Sequence, residues 1–156
     1  MVEELDILLA LDPDAGRILR APYASAFLNT SKKYFRGRIG DVQRSSYSGY
    51  LWDCIKDPQI IRPDDFSREL RERGNVFVMA DCHPTERAGT DVAKRLLSGQ
   101  MFKAVAKDLT TVLNILPEDS YFFDEKMQWT LIATHKYIND VRWCIRADCR
   151  NRSLGQ

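Results

Sequence analysis

Residues 120–149 constrain this chain more than any other stretch. Met127, Trp129, Leu131 and Ala133 alternate with Gln128, Thr130 and Thr134, the period-two pattern of a half-buried strand. Val141, Trp143, Ile145 and Ala147 alternate in the same way with Arg142, Cys144, Arg146 and Asp148. Asn139-Asp140 between the runs marks a turn. Upstream, Ser120-Tyr121-Phe122-Phe123 reads as a third strand, closed by the polar turn Asp124-Glu125-Lys126. A two-residue loop would set His135 opposite Cys144 and turn Trp129 and Leu131 to the arginine face. A three-residue loop, Ile138-Asn139-Asp140, pairs Tyr137 with Val141, His135 with Trp143 and Ala133 with Ile145. That register gathers the apolar residues, Trp129 and Trp143 included, on one face, so it is the one expected.

The rest of the chain reads as helices gathered over this meander. Leu5, Leu8 and Leu9 have helical spacing over residues 2–10, ended by Asp12-Pro13. Further helical patterns run over 14–19, 24–35 and 46–56, the last with Tyr47, Tyr50, Leu51 and Cys54 on one stripe. Pro63 at a first helical position, with Asp64 and Asp65 in the first turn, opens a helix that Gly74 ends. Residues 75–81 are apolar on both faces and read as a deep strand. Thr90 caps a helix over 91–97. Phe102, Val105, Ala106, Leu109, Val112, Leu113 and Leu116 predict one long amphipathic helix stopped by Pro117. The expected fold is α+β over residues 1–156 as a single domain. It has N-terminal helices and a mostly antiparallel sheet of about four strands ending in a C-terminal β-meander, with helices packed on one face and the other face open to water.

At 156 residues, 44% hydrophobic, 29% charged and with a net charge of +1, the chain has the composition of an ordinary globular domain. That balance selects neither nucleic acid nor a membrane surface. No apolar run approaches a membrane span, and Glu3, Glu4 and Asp6 are the wrong charge for a secretory leader. The four cysteines then read as reduced thiols of a cytoplasmic protein, monomer or homodimer, with Cys54 a core thiol.

Three constellations invite chemistry. Asp81, His83, Glu86 and Arg87 come at the end of the expected central strand, where an acid–base pair and an anion-holding guanidinium could make a small enzyme; the plain alternative is a polar loop that caps the next turn. Lys32, Lys33, Arg36 and Arg38 interleave with Tyr34 and Phe35, as in segments that track a phosphate backbone or hold a small ligand; the alternative is a solvated helix end. Cys82, His83, His135, Cys144 and Cys149 lack any metal-ligand spacing, so neither a metal nor another cofactor is expected.

Tyr121-Phe122-Phe123-Asp124 followed by Gln128-Trp129-Thr130-Leu131-Ile132-Ala133-Thr134-His135 resembles the C-terminal part of small bacterial immunity-type and uncharacterised proteins. In those a strand ending in an acid leads to a Trp-Thr strand that closes on Thr-His. Lys136 follows here, where such proteins tend to carry an acid. The resemblance implies a non-catalytic inhibitor that binds a toxin or another protein partner. On the expected open sheet face, Thr130, Thr134, Lys136, Arg142 and Arg146 would form the contact patch.

Overall fold

The computed structural model describes residues 4–29, 50–81 and 89–149. Among them seven strands form one antiparallel sheet: β1 (Leu9–Ala10), β2 (Gln59–Ile61), β3 (Asn75–Ala80), β4 (Phe102–Val105), β5 (Ser120–Phe123), β6 (Trp129–Ile138) and β7 (Val141–Asp148). Their spatial order is β1-β4-β3-β5-β6-β7-β2. The fold is therefore α+β, with a sheet of seven strands rather than about four. The extra strands, β1, β2 and β4, are two, three and four residues long, and so short a run offers little periodicity to read. No helix among the described residues is long and apolar enough to cross a membrane.

The central strands are buried on both faces, which corrects the expectation of one open face. All four residues of β5 are buried. Phe122 points into one cluster with Phe66, Leu70, Val78, Trp129 and Leu131. Tyr121 and Phe123 point into the other, with Tyr23, Phe27, Met79, Ile132 and Ile145. Each large apolar side chain so buried contributes roughly 1.5–3 kcal/mol. The first face is covered by α3 (Pro63–Arg71) and α4 (Asp91–Leu97), through Phe66, Leu70, Val92 and Leu96. Proline at the first position of α3 and two acids in its first turn begin it as the sequence predicts. The second face is covered by α2 (Pro13–Phe27) and the turn Leu51–Cys54. Asp12 caps α2 by accepting from Ala15 N, and the helix runs through Pro22, where the sequence suggested separate pieces. A short helix α1 (Glu4–Ile7) precedes β1, and residues 46–49 of the fourth predicted helix lie outside the described residues.

The long helix expected over residues 102–116 is instead β4, a single turn α5 (Ala106–Leu109) and a 3-10 turn at Leu113–Ile115. Phe102 and Ala104 are buried while Lys103 and Val105 are exposed, a true period of two. Apolar positions 102, 105, 106 and 109 also satisfy a helical period, and short apolar runs do not separate the two.

The β6–β7 hairpin turns on two residues, Asn139 and Asp140, with φ of 52° and 63°. Left-handed φ at both positions is the type I′ turn that matches strand twist. Ile138 pairs with Val141 and Tyr137 with Arg142, then the register shifts, and Ala133 pairs with Cys144. Between these pairs β6 carries residues 134–136 against Trp143 alone. The expected three-residue loop is thus wrong, because a bulge rather than the loop restores apolar parity. Leu131 stands opposite Arg146 and Ile132 opposite Ile145. Trp129 consequently lies in the first cluster, whereas Trp143 is half-buried beneath Lys136, with Nζ 4.3 Å from the ring centroid.

A non-glycine residue in left-handed backbone carries a penalty of about 1–2 kcal/mol, and the entropy lost by glycine recovers roughly half of that. Asp140→Gly is expected to stabilise the protein by about 0.5–1 kcal/mol, read as a higher urea midpoint at unchanged m. A lowered midpoint would show that the Asp140 side chain holds the turn.

Candidate functional site

Ala80, Ser120, Ala133 and Cys144 stand in one row across β3, β5, β6 and β7. Beyond that row the pairing of β5 with β3 and β6 ends, and the polar residues there turn on one another. Asp81 and Asp119 are buried there, at 1% and 3% exposure. Burying a carboxylate is tolerable only when donors surround it, and both have them.

Asp119 Oδ1 accepts from Trp52 Nε1 at 2.9 Å and from the backbone N of His135 at 3.0 Å. His135 Nδ1 lies 3.0 Å from both carboxylate oxygens. A carboxylate only accepts, so Nδ1 donates, and in the neutral ring Nε2 is left as an acceptor. Asp81 Oδ2 accepts the Tyr121 hydroxyl at 2.6 Å, and its Oδ1 accepts Leu51 N at 3.2 Å. The Tyr121 oxygen in turn accepts Trp52 N at 2.9 Å. Two acids from strand ends thereby hang the 50–52 segment on the sheet.

The bulge in β6 is what brings His135 to Asp119. It frees the His135 N–H from the ladder and gives it to the carboxylate, and bulges commonly re-aim side chains in this way. Thr134 stabilises the irregular backbone by donating to Trp143 O at 2.7 Å and accepting from Lys136 N. Arg142 bridges the two backbones that carry the pair: Nε donates to Thr134 O at 2.7 Å and Nη2 to Glu118 O at 2.6 Å. The imidazole is 37% exposed, with the Tyr50 ring 4.7 Å and the Trp52 ring 5.8 Å away, centroid to centroid. Tyr50 and Trp52 are themselves stacked, at 5.4 Å. An imidazole oriented by a buried acid, with its second nitrogen unclaimed by that acid, can accept a proton or a hydrogen bond from an incoming group.

Of the residues singled out in the sequence, Asp81 belongs to this network, while His83, Glu86 and Arg87 lie outside the described residues, as do Lys32, Lys33, Arg36 and Arg38. Thr130 and Thr134 are buried and cannot present a contact patch. Thr130 instead joins the core, 2.9 Å from the Tyr23 hydroxyl, and donates to Phe122 O. Arg142 holds backbone carbonyls, as described. Arg146 pairs with Glu69 of α3 and donates to Gln59 of β2, so it fastens the sheet's edge. Lys136 alone of that group is exposed. Among the described residues no group of three or more His, Cys, Asp or Glu is placed to hold a metal ion. Burial pushes the Cys144 thiol up to about 11, only partly opposed by the charge of Arg142. Sequence reasoning missed Asp119, Trp52 and Tyr50 as partners of His135, and Tyr121 as the link between Trp52 and Asp81. The chain matches no known family, no curated protein and no solved structure.

Asp119→Ala would leave Trp52 Nε1 and the His135 N–H without their acceptor, at about 1–3 kcal/mol for each buried donor. A loss of about 3 kcal/mol is expected in chemical denaturation, with weakened near-UV signal from Trp52. A loss under about 0.5 kcal/mol would show that Asp119 does not organise the site. Cys144 supplies a pH signature. Its thiol titrates higher folded than unfolded, so its contribution is intact below about pH 8.5–9 and is lost as pH rises toward about 11. Stability should fall over that window, by about 2–3 kcal/mol at most from this group, and less steeply in Cys144→Ala.

Proposed function

We propose that this chain is a non-catalytic protein-binding module, and that it presents the tip of the β6–β7 hairpin to its partner. The observation that carries this reading is a pair of exposed apolar side chains, one on each face of a well-anchored hairpin tip. Tyr137 is 62% and Ile138 41% exposed, consecutive in β6 and paired with Arg142 and Val141 of β7. The bulge, the tight turn and the Arg142 bridge order the backbone on which they stand. Tyrosine carries large contact area at small entropic cost, and a preorganised surface lowers the cost of association. This hairpin contact replaces the sheet-face patch, whose members other than Lys136 are buried or internally bonded. The resemblance of β5 and β6 to immunity-type proteins supports a partner that is inhibited by contact, a toxin or another protein.

The second reading is a small enzyme, favoured by the orientation of His135 by Asp119. There His135 Nε2 would serve as general base, and the stacked rings of Tyr50 and Trp52 would wall the site. Asp81, the start of the 81–87 loop of the sequence reading, contributes by holding Leu51 and Tyr121.

The two readings separate by variants. The doubly substituted Tyr137→Ser, Ile138→Ser is expected to fold normally and to lose at least ten-fold in capture of a co-purifying host partner. Ile18→Ser, an equally exposed change on α2, should leave capture unchanged, and so should the near-isosteric His135→Asn. Capture retained by the hairpin variant would overturn the binding reading. Loss confined to His135→Asn would favour the site of the second.

A further inference from the structure

On the first face of the sheet, a cavity of about 90 Å³ opens between α3, the 113–117 segment and the middle of β5, β6 and β7. Its walls are Pro63, Phe66, Leu116, Phe122, Ala133 and Cys144. Its polar lining comes from Ser67, Ser120 and Arg142. Ser120 donates to Pro117 O at 2.6 Å, which keeps its oxygen available as an acceptor. Arg142 spends Nε on Thr134 O and Nη2 on Glu118 O, and Nη1 makes no hydrogen bond among the described residues. The guanidinium is thus held from two sides with one donor-bearing nitrogen to spare.

We infer that this cavity is a binding site for a small aliphatic carboxylate, with its hydrocarbon against Phe66, Phe122 and Ala133 and its carboxylate on Arg142 Nη1. Small-molecule sites are concave and mostly apolar, with few convergent polar groups, and this cavity has that make-up. Guanidinium prefers carboxylate to a neutral oxygen, because the charged bond is roughly twice as strong. The volume sets the chain length. An engineered cavity of about 150 Å³ accepts benzene, so 90 Å³ suits a chain of roughly three or four carbons. The high titration of the Cys144 thiol keeps that wall uncharged at neutral pH, so it adds no repulsion to the bound anion. The inference is independent of the hairpin contact. The ligand would bear on the same arginine that ties Glu118 to Thr134, one residue from each member of the Asp119–His135 pair.

Butyrate, 1-butanol and butylamine are the probes, followed by methyl chemical shifts of Ala133 and Leu116 and by calorimetric titration of the full chain. Butyrate should shift those methyls and bind at least ten-fold tighter than butanol, with butylamine weakest. Arg142→Met should bring butyrate down to the affinity of butanol. Ala133→Leu, which fills the cavity, should abolish both, with folding verified by its melting curve. Butyrate no tighter than butanol in the wild-type protein would overturn the inference, even if neither variant folds. So would shifts that map elsewhere, or Arg142→Met binding butyrate unchanged.

Discussion

The arrangement rests on two carboxylates taken out of water at the end of the sheet. Asp81 and Asp119 are both buried there, beside the segment they hold. Each is surrounded by N–H and O–H donors: indole, imidazole, phenol and backbone amides. This solves a packing problem as well as an electrostatic one. The 50–55 segment has little regular structure of its own beyond one 3-10 turn, yet it must cover the second face with Leu51, Trp52 and Cys54. The amides of Leu51 and Trp52, which have no ladder to join, find acceptors in Asp81 just beyond β3 and in Tyr121 on β5. A satisfied buried network of this kind fixes geometry more than it adds net stability.

Much of the fold was legible in the sequence because apolar periodicity and helix punctuation are local signals. β3, β5, β6, β7 and the helices opened by Pro63 and Thr90 appear where those signals put them. Reading failed where tertiary context decided. Phe102 to Leu109 fits both periods, and over Phe102–Val105 the strand form prevails because β3 offers it a hydrogen-bonding edge. The hairpin register failed for a sharper reason. Parity of the apolar residues was judged correctly as a constraint, but a bulge can satisfy it as well as a loop can, and no residue type marks that choice.

The site was less legible than the fold. Asp119 follows Pro117 and Glu118 in what reads as an ordinary polar connection, and Trp52 lies 67 positions away from it. Their meeting depends on the order of strands, which local pattern does not encode. In the sequence His135 stands out as a metal-ligand candidate and as the close of the Trp-Thr strand, not as the partner of a buried acid. The available hint was its place inside a strand that otherwise alternates apolar and hydroxyl residues, where an imidazole and a lysine in succession break the pattern.

The edges of the sheet have a consequence for solubility. The longest strands, β6 and β7, are interior, and the outermost strands β1 and β2 are two and three residues long. Exposed strand edges invite other chains to add on and aggregate, and short, charged edges discourage it. Beside β2, Arg146 binds Gln59 while also pairing with Glu69, which places a cation at the margin most open to such growth. Removing that one side chain would strip the margin of its guard, so a variant that still folds could be lost to fibrils rather than to unfolding.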